Sequence, residues 1–161
     1  MKKIAIFLLL LLVAGAVFGQ NIINGYSDLA FGTALDTFLN EYEGFNPIRN
    51  IPTDLVSIGV LAYRRVADRR VVNILFFENK FYEALIQYMN PSSRETNEIL
   101  QNYVNQYGRP NDKEEAGGRY PWVKYFWNIN EHFVITAFVQ SGTLEIRHYD
   151  PIIKNVNNIT F

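Results

Sequence analysis

The sequence contains one pattern twice, and this repetition limits the folds open to the chain more than any other feature. Residues 35–42 read Leu-Asp-Thr-Phe-Leu-Asn-Glu-Tyr, and residues 100–107 read Leu-Gln-Asn-Tyr-Val-Asn-Gln-Tyr. Both segments carry apolar residues at helical spacing. Each is followed by runs rich in β-branched and aromatic residues, which are typical of strands. The chain therefore predicts two successive units of one helix and three strands, that is, tandem α-β-β-β units. The alternative is a chance likeness, since any two amphipathic helices share this spacing.

The first predicted unit covers about residues 27–89. Its helix runs over 27–42 and ends before Gly44 and Pro47, which are typical residues at a helix end. Its three strands run over residues 56–65, 71–77 and 81–89.

The second predicted unit covers about residues 92–150. Ser92 or Ser93 is a suitable N-cap for a helix over 94–107, since Glu95 follows close behind. Its three strands run over residues 120–128, 133–140 and 143–149.

These elements predict a single α+β domain over residues 20–161, in which two helices pack on one face of an antiparallel sheet of about six strands. The charged, glycine-rich segment 111–119 is predicted to be a mobile loop, and residues 151–161 an extended C-terminal arm. Hydrophobic residues make up 48% of the chain, enough to fill a core at this length. The chain has no cysteine, so that core must hold the fold without disulfides.

The end of the second predicted helix carries a resemblance to known families. It reads Tyr107-Gly108-Arg109-Pro110 before aromatic antiparallel strands, a layout that resembles small exported bacterial α+β domains. The β-lactamase inhibitory proteins, tandem repeats of a helical segment plus a sheet, are more similar to this chain than the SmpA/OmlA outer-membrane assembly lipoproteins are. The chain lacks the disulfide cysteines of the former and the lipidated cysteine of the latter. The resemblance implies an exported domain of this layout and assigns no functional residue.

The first 19 residues predict export. Lys2 and Lys3 precede an apolar run over residues 4–13, and small residues follow before Gln20. This is the pattern of a signal peptide, with a retained membrane anchor as the alternative. The run is shorter than the roughly 20 residues that cross a membrane, which favours the signal peptide. No cysteine follows the cleavage region, so we expect a periplasmic or secreted protein without a lipid anchor.

Composition disfavours several classes of chemistry. The chain has 15 basic and 16 acidic residues, a formal net charge of −1, which does not favour nucleic-acid binding. It has no cysteine nucleophile and no phosphate-binding glycine loop. His132 and His148 lack metal-ligand spacing, so no metal or other cofactor is expected. Glu83 and Glu145 fall at matching places in the two units, and we interpret them as equivalent positions rather than as an acid–base pair.

The aromatic run over residues 120–127 is the strongest candidate for a contact surface. In a strand, Trp122 and Phe126 share one face, and Tyr125 and Trp127 share the other. Exposed tryptophan and tyrosine are favoured at protein interfaces. We therefore expect at least one of Trp122, Tyr125 and Trp127 to contact a partner. The alternative is that the core and the neighbouring strands cover both faces.

A second candidate is a basic hairpin tip. Arg64, Arg65, Arg69 and Arg70 lie around a predicted turn over residues 67–69. They would suit an anionic surface, such as lipid headgroups or an acidic patch on a protein. The alternative is a solvated turn that keeps strand edges from aggregating. A membrane surface is kept as an alternative partner and is not the prediction.

Together these features predict a non-catalytic exported bacterial module that binds another envelope or secreted protein. The alternative is a hydrolytic enzyme or a small-ligand carrier with a pocket between helices and sheet. The two differ in structure, because a binding module presents an exposed aromatic or charged patch, whereas an enzyme brings titratable groups together in a cleft.

Overall fold

The fold belongs to the α+β class, as the sequence predicts. The computed structural model describes residues 24–51 and 53–156 of the 161-residue chain. These residues form four helices: α1 Leu35–Glu41, α2 Thr53–Ser57, α3 Ser93–Tyr107 and α4 Pro151–Val156. They also form ten strands: β1 Gly25–Tyr26, β2 Leu29–Ala30, β3 Asn46–Pro47, β4 Val60–Ala67, β5 Arg70–Phe77, β6 Lys80–Met89, β7 Asp112–Ala116, β8 Trp122–Asn130, β9 Phe133–Gln140 and β10 Thr143–Tyr149.

Eight of these strands form one antiparallel sheet in the order β3-β4-β5-β6-β10-β9-β8-β7. We call α1, α2 and β3 to β6 the first half of the domain, and α3, β7 to β10 and α4 the second half. The halves meet where β6 pairs with β10, so each contributes four neighbouring strands. β1 and β2 form a separate small hairpin.

One face of the sheet, the inner face, carries the main core beneath α1 and α3. Phe38 of α1 is fully buried there, and its ring centroid lies 5.1 Å from that of Phe76 in β5. Tyr103 of α3 packs on the same core, 6.0 Å from the ring of Trp127 in β8. Because side chains alternate along a strand, each strand has an inner row under these helices and an outer row on the opposite face.

Helix α3 begins where the capping pattern predicts. The Ser92 hydroxyl accepts a hydrogen bond from the Glu95 backbone N–H at 3.2 Å, and the Glu95 carboxylate accepts one from the Ser92 N–H at 2.7 Å. Gly108, with a φ of 83°, ends the helix in a conformation that glycine adopts readily. The predicted second helix is therefore confirmed.

The outer face of the first half is covered around α2, whereas its far end at Val66 stays exposed. Leu55 of α2 is buried against Leu75 of β5 and Tyr82 of β6. Ile48 and Ile51, in the segment that connects β3 to β4, pack on the same cluster. This second, smaller core lies beneath α2 on the side of the sheet opposite α1.

The predicted sheet of about six strands is wrong, because each half has an additional edge strand. β7 lies inside the segment 111–119 that the sequence predicts to be a mobile loop. Its only strand neighbour in the described residues is β8, so its charged side chains stay in water and it lacks the alternation of a half-buried strand. β3 has only two residues, too few to leave a pattern.

The predicted set of two helices is also incomplete. The first helix begins at Leu35 rather than near residue 27, because residues 25–30 form the β1–β2 hairpin. The C-terminal arm is helical over its first six residues, where Asp150 Oδ1 accepts a hydrogen bond from the Ile152 N–H at 2.9 Å. Short helices such as α2 and α4 depend on tertiary packing more than on sequence propensity.

The predicted signal peptide, residues 1–19, lies outside the described residues, as do the last five residues of the predicted arm. Among the helices that the structure describes, none combines the length and apolar character needed to cross a membrane.

Candidate functional site

The aromatic strand β8 divides its side chains between the two faces of the sheet. Trp127 lies on the inner face, is 1% exposed, and donates a hydrogen bond from Nε1 to the Gly108 carbonyl at 2.9 Å. Tyr125 is partly buried on the same face, with its ring 6.2 Å from that of Trp127. The assignment of Trp127 to a contact surface is therefore corrected, because strand alternation places it under α3. Trp122 faces the other side and is partly exposed.

Trp122 belongs to an aromatic cluster on the outer face of the second half. Its ring lies 5.8 Å from that of Phe138 in β9. Phe126 lies four residues further along β8 on the same face. The ammonium of Lys124 lies 4.9 Å from its ring centroid. All four side chains are partly exposed. We call Trp122, Phe126 and Phe138 the outer aromatic patch.

The patch borders a groove of about 460 Å³ on the outer face, which we call the outer groove. The edge strand β7 contributes Glu114 to one side, and α4 contributes Lys154 to the other. The floor between them is formed by outer-row residues of β8, β9 and β10, namely Trp122, Lys124, Thr136, Phe138, Glu145, Arg147 and Tyr149. The volume lies in the range of ordinary ligand clefts.

A network of charged side chains lies beside the outer groove, where the halves meet. Glu83 of β6 is fully buried, and its two oxygens accept hydrogen bonds from Arg147 Nη1 at 3.3 Å and from Lys154 Nζ at 2.9 Å. Arg147 Nε also donates to Glu145 Oε1 at 2.8 Å, and Gln87 Nε2 donates to Glu145 Oε2 at 3.1 Å. Each of the four carboxylate oxygens thus accepts a hydrogen bond, and the network is internally neutral.

The structure brings Glu83 and Glu145 to a shared partner without making them an acid–base pair. Arg147 bridges the two carboxylates, which lie on the neighbouring strands β6 and β10. A general base needs a free oxygen within reach of a substrate proton, and here the oxygens are engaged by fixed donors. The arrangement is suited to holding β10 and α4 rigidly against the sheet.

The four arginines of the basic hairpin do not converge on one surface. Arg64 Nε donates to Asn73 Oδ1 at 2.8 Å, and the Arg65 guanidinium lies 4.7 Å from the Phe45 ring centroid. Strand alternation sends these two side chains to opposite faces.

Arg69 and Arg70 act at the turn between β4 and β5. Arg69 reaches the start of α3, where it pairs with Glu95 at 3.3 Å and donates to the Asn90 carbonyl at 2.7 Å. Arg70 lies 3.9 Å from Asp68. All four arginines are exposed, but each has a partner within the fold, so the geometry favours a structural role for them.

The two histidines take different roles. His148 is buried between α3 and β1, with Nε2 at 2.9 Å from the Tyr103 hydroxyl and Nδ1 at 2.9 Å from the Gly25 carbonyl. Burial lowers the pKa of His148 to about 4, so the ring is neutral at physiological pH.

His132 is exposed and lies 3.2 Å from Asp150. Within residues 24–51 and 53–156, no group of three or more side chains is placed to hold a metal ion.

Most of the groove residues, among them Phe138 and Lys154, lie outside the set that the sequence singles out. Phe138 stands directly opposite Lys124 in the β8–β9 pairing. The alternation along residues 133–140 places it on an outer row, but the register of that pairing was needed to bring it to Trp122. Lys154 is 71 residues from Glu83 in the chain, a separation that no local pattern spans.

No family model matches the chain, and no curated protein matches it. One solved structure is similar, a Streptococcus mutans protein described as a candidate β-lactamase inhibitor protein. It shares 14% sequence identity, covers 78% of this chain and 90% of its own, and superposes with a TM-score of 0.29. The class named in that description is one of the two that the sequence layout resembles.

Proposed function

We propose that the chain is a non-catalytic protein-binding module that contacts its partner through the outer face of the second half. The observation that carries this proposal is the outer aromatic patch, which lies partly exposed while the same face of the first half is packed beneath α2. Clustered aromatic residues on a surface are a common mark of protein interfaces.

The charged network supports the same proposal. Arg147 and Glu145 line the outer groove, and the buried Glu83 fixes the position of Arg147. Charges held in place before binding lose little conformational entropy when a partner arrives, and they select partners of complementary charge. A rigid polar network beside an aromatic patch is the arrangement expected of a specific interface.

The proposal includes export, which rests on the first 19 residues alone. A periplasmic or secreted location makes another envelope or secreted protein the expected partner. Mass spectrometry of the protein from its own host should find an N-terminus between Val17 and Asn21. Recovery of the intact chain from the cytoplasm would contradict this part of the proposal.

We also infer that the two halves are tandem repeats. Leu75 stands opposite Glu83 in the β5–β6 pairing, just as Phe138 stands opposite Glu145 in the β9–β10 pairing. The strand order supports the inference, because β3 to β6 run from one edge to the centre as β7 to β10 run from the other. An experimental structure with different strand orders in the two halves would overturn it.

An enzyme or a small-ligand carrier is the second candidate, and one observation favours it. Glu83, Glu145, Arg147 and Lys154 bring titratable groups together beside the outer groove, as an active site does. The full engagement of both carboxylates argues for a structural role, as described above. If this candidate is right, Glu145→Gln should abolish turnover of a hydrolysed substrate, whereas binding of a protein partner should depend on the aromatic patch.

The experiment that tests the proposal is affinity capture from envelope extracts of the source bacterium with matched variants. Trp122→Ala removes the largest ring of the patch, and Leu39→Ala removes an exposed apolar side chain from α1 as the control. We expect a partner that the wild type and the Leu39 variant retain and the Trp122 variant loses, while both variants stay folded with melting temperatures lowered by no more than a few degrees. Equal retention by all three proteins would contradict the proposal.

A further inference from the structure

The cationic side chains of the outer groove differ in whether a carboxylate of the protein already pairs with them. Arg147 contacts both Glu83 and Glu145, and Lys154 contacts Glu83, so these two cations are matched within the fold. Lys124 contacts the ring of Phe126 and has no carboxylate within 4.0 Å among the residues that the structure describes. It is the groove cation left available to a partner.

Glu114 is the nearest candidate to neutralise Lys124, since the two stand opposite each other in the β7–β8 pairing. They form no ion pair in the structure. Glu114 is exposed on the edge strand, whereas Lys124 is partly buried on the floor of the groove. Covering the groove would therefore remove water from Lys124 to a greater extent than from Glu114.

A cation that loses its water without gaining a counter-charge opposes binding. The ring of Phe126 compensates only in part, because a cation–π contact is weaker than a paired and hydrogen-bonded charge. A partner that covers the outer groove must therefore bring a carboxylate to Lys124.

The strand register also fixes where an apolar side chain of the same partner would bind relative to Lys124. Trp122 lies two residues before Lys124 on the same row of β8, about 7 Å away along the strand. Phe138 stands opposite Lys124 and packs against Trp122. A carboxylate on Lys124 thus places the neighbouring residues of the partner over the Trp122–Phe138 pair.

We propose, resting on the protein-binding function above, that the outer groove recognises a protein segment in which an aspartate or glutamate lies within about two residues of a large apolar side chain. The carboxylate binds Lys124, and the apolar side chain packs on Trp122 and Phe138. This specificity follows from one partly buried, unmatched cation beside an exposed aromatic pair.

The test is selection of random peptides displayed on phage against the mature protein purified from its host. Synthetic peptides from the enriched pool are then measured against three variants. Lys124→Met keeps most of the apolar stem and removes the charge. Lys113→Met is the matched control, because Lys113 stands opposite Tyr125, on the inner row of the sheet, and already pairs with Glu115. Trp122→Ala tests whether a peptide binds at the patch.

We expect enriched peptides with an acidic residue beside a large apolar one. Their affinity should fall at least about tenfold with Lys124→Met and stay within about twofold with Lys113→Met. Two results would overturn this inference and leave the protein-binding function standing. The first is that peptides depend on Trp122 for binding but carry no acidic residue. The second is that they bind the Lys124 variant with unchanged affinity. If no peptide depends on Trp122, both the inference and the proposed function fail.

Discussion

The outer faces of the two halves have the same arrangement of four strands and opposite surroundings. In the first half, Leu55 of α2 and Ile51 pack over Leu75 and Tyr82 and bury them. In the second half, the outer aromatic patch and the outer groove stay partly open, with α4 at their border. Around α2 the outer face thus serves as core, whereas in the second half it stays partly open.

The connections between the edge strands explain this difference. The chain between β3 and β4 includes residues 48–51 and α2, which fold back over the outer face. The chain between β7 and β8 is only residues 117–121, too short to cover the strands that follow. What decides whether a face becomes core is therefore the length and apolar character of one connection, and the strands themselves are compatible with either outcome.

The largest expected effect compares Leu75 with Phe138, which stand opposite Glu83 and Glu145 in their respective hairpins. Leu75→Ala removes a buried side chain and should reduce the free energy of unfolding by about 2–5 kcal/mol. Phe138→Ala removes a partly exposed side chain and should reduce it by only about 1 kcal/mol. Denaturant titration of both variants measures the two losses. Similar losses would show that the second half is as well covered as the first.

The second prediction concerns the inner face, where the central strands of the halves also differ. The inner row of β6 is apolar at Ala84 and Ile86, whereas the inner row of β10 contains the buried His148. With a pKa lowered to about 4, His148 stays neutral in the folded protein while the same group in the unfolded chain takes up a proton near pH 6.5.

Stability should therefore fall as pH decreases from about 6.5 towards 4, by up to about 3 kcal/mol from this group. The measurement is the free energy of unfolding at pH 7 and at pH 4.5 for the wild type and for His148→Gln, which cannot be protonated. The difference between the two pH values should be smaller in the variant by about 2 kcal/mol. An identical pH dependence in both proteins would show that His148 is not held neutral by the fold.

The third and smallest predicted effect concerns the burial of Tyr82 on the outer face of the first half. The Tyr82 hydroxyl is buried with no hydrogen-bond partner among the described residues. Because an unpartnered buried hydroxyl opposes folding, Tyr82→Phe should raise the free energy of unfolding by about 1 kcal/mol. The control is Tyr149→Phe, on the outer row of β10, where the side chain is only partly buried and the change should be close to zero. A loss of stability with Tyr82→Phe would show that this hydroxyl has a partner in solution.

Local signals in the sequence predicted the elements whose causes are local. The capping residues Ser92 and Glu95 placed the start of α3, and the turn at Glu78-Asn79 has the positive φ values of a tight hairpin. The alternation along β8 correctly separated the face of Trp122 from that of Trp127. These features depend on residues that lie within a few positions of one another.

Features that depend on distant packing leave no local signal in the sequence. The strand pattern predicts a contact role for Trp127, whereas its indole is covered by α3 and hydrogen-bonded to Gly108. The edge strand β7 cannot be predicted, because its charged residues show no apolar alternation. The sequence does not show which half carries the open face either, because this depends on how residues 48–51 and α2 pack against the sheet.

Site-specific photo-crosslinking in the protein's own host shows directly which half of the outer face contacts a partner. A benzophenone amino acid is placed at Phe138, in the outer patch of the second half, or at Val66, which is 61% exposed on the outer row of β4 in the first half. We expect a discrete crosslinked protein from position 138 and none from position 66. A crosslinked protein from position 66 with none from position 138 would contradict it.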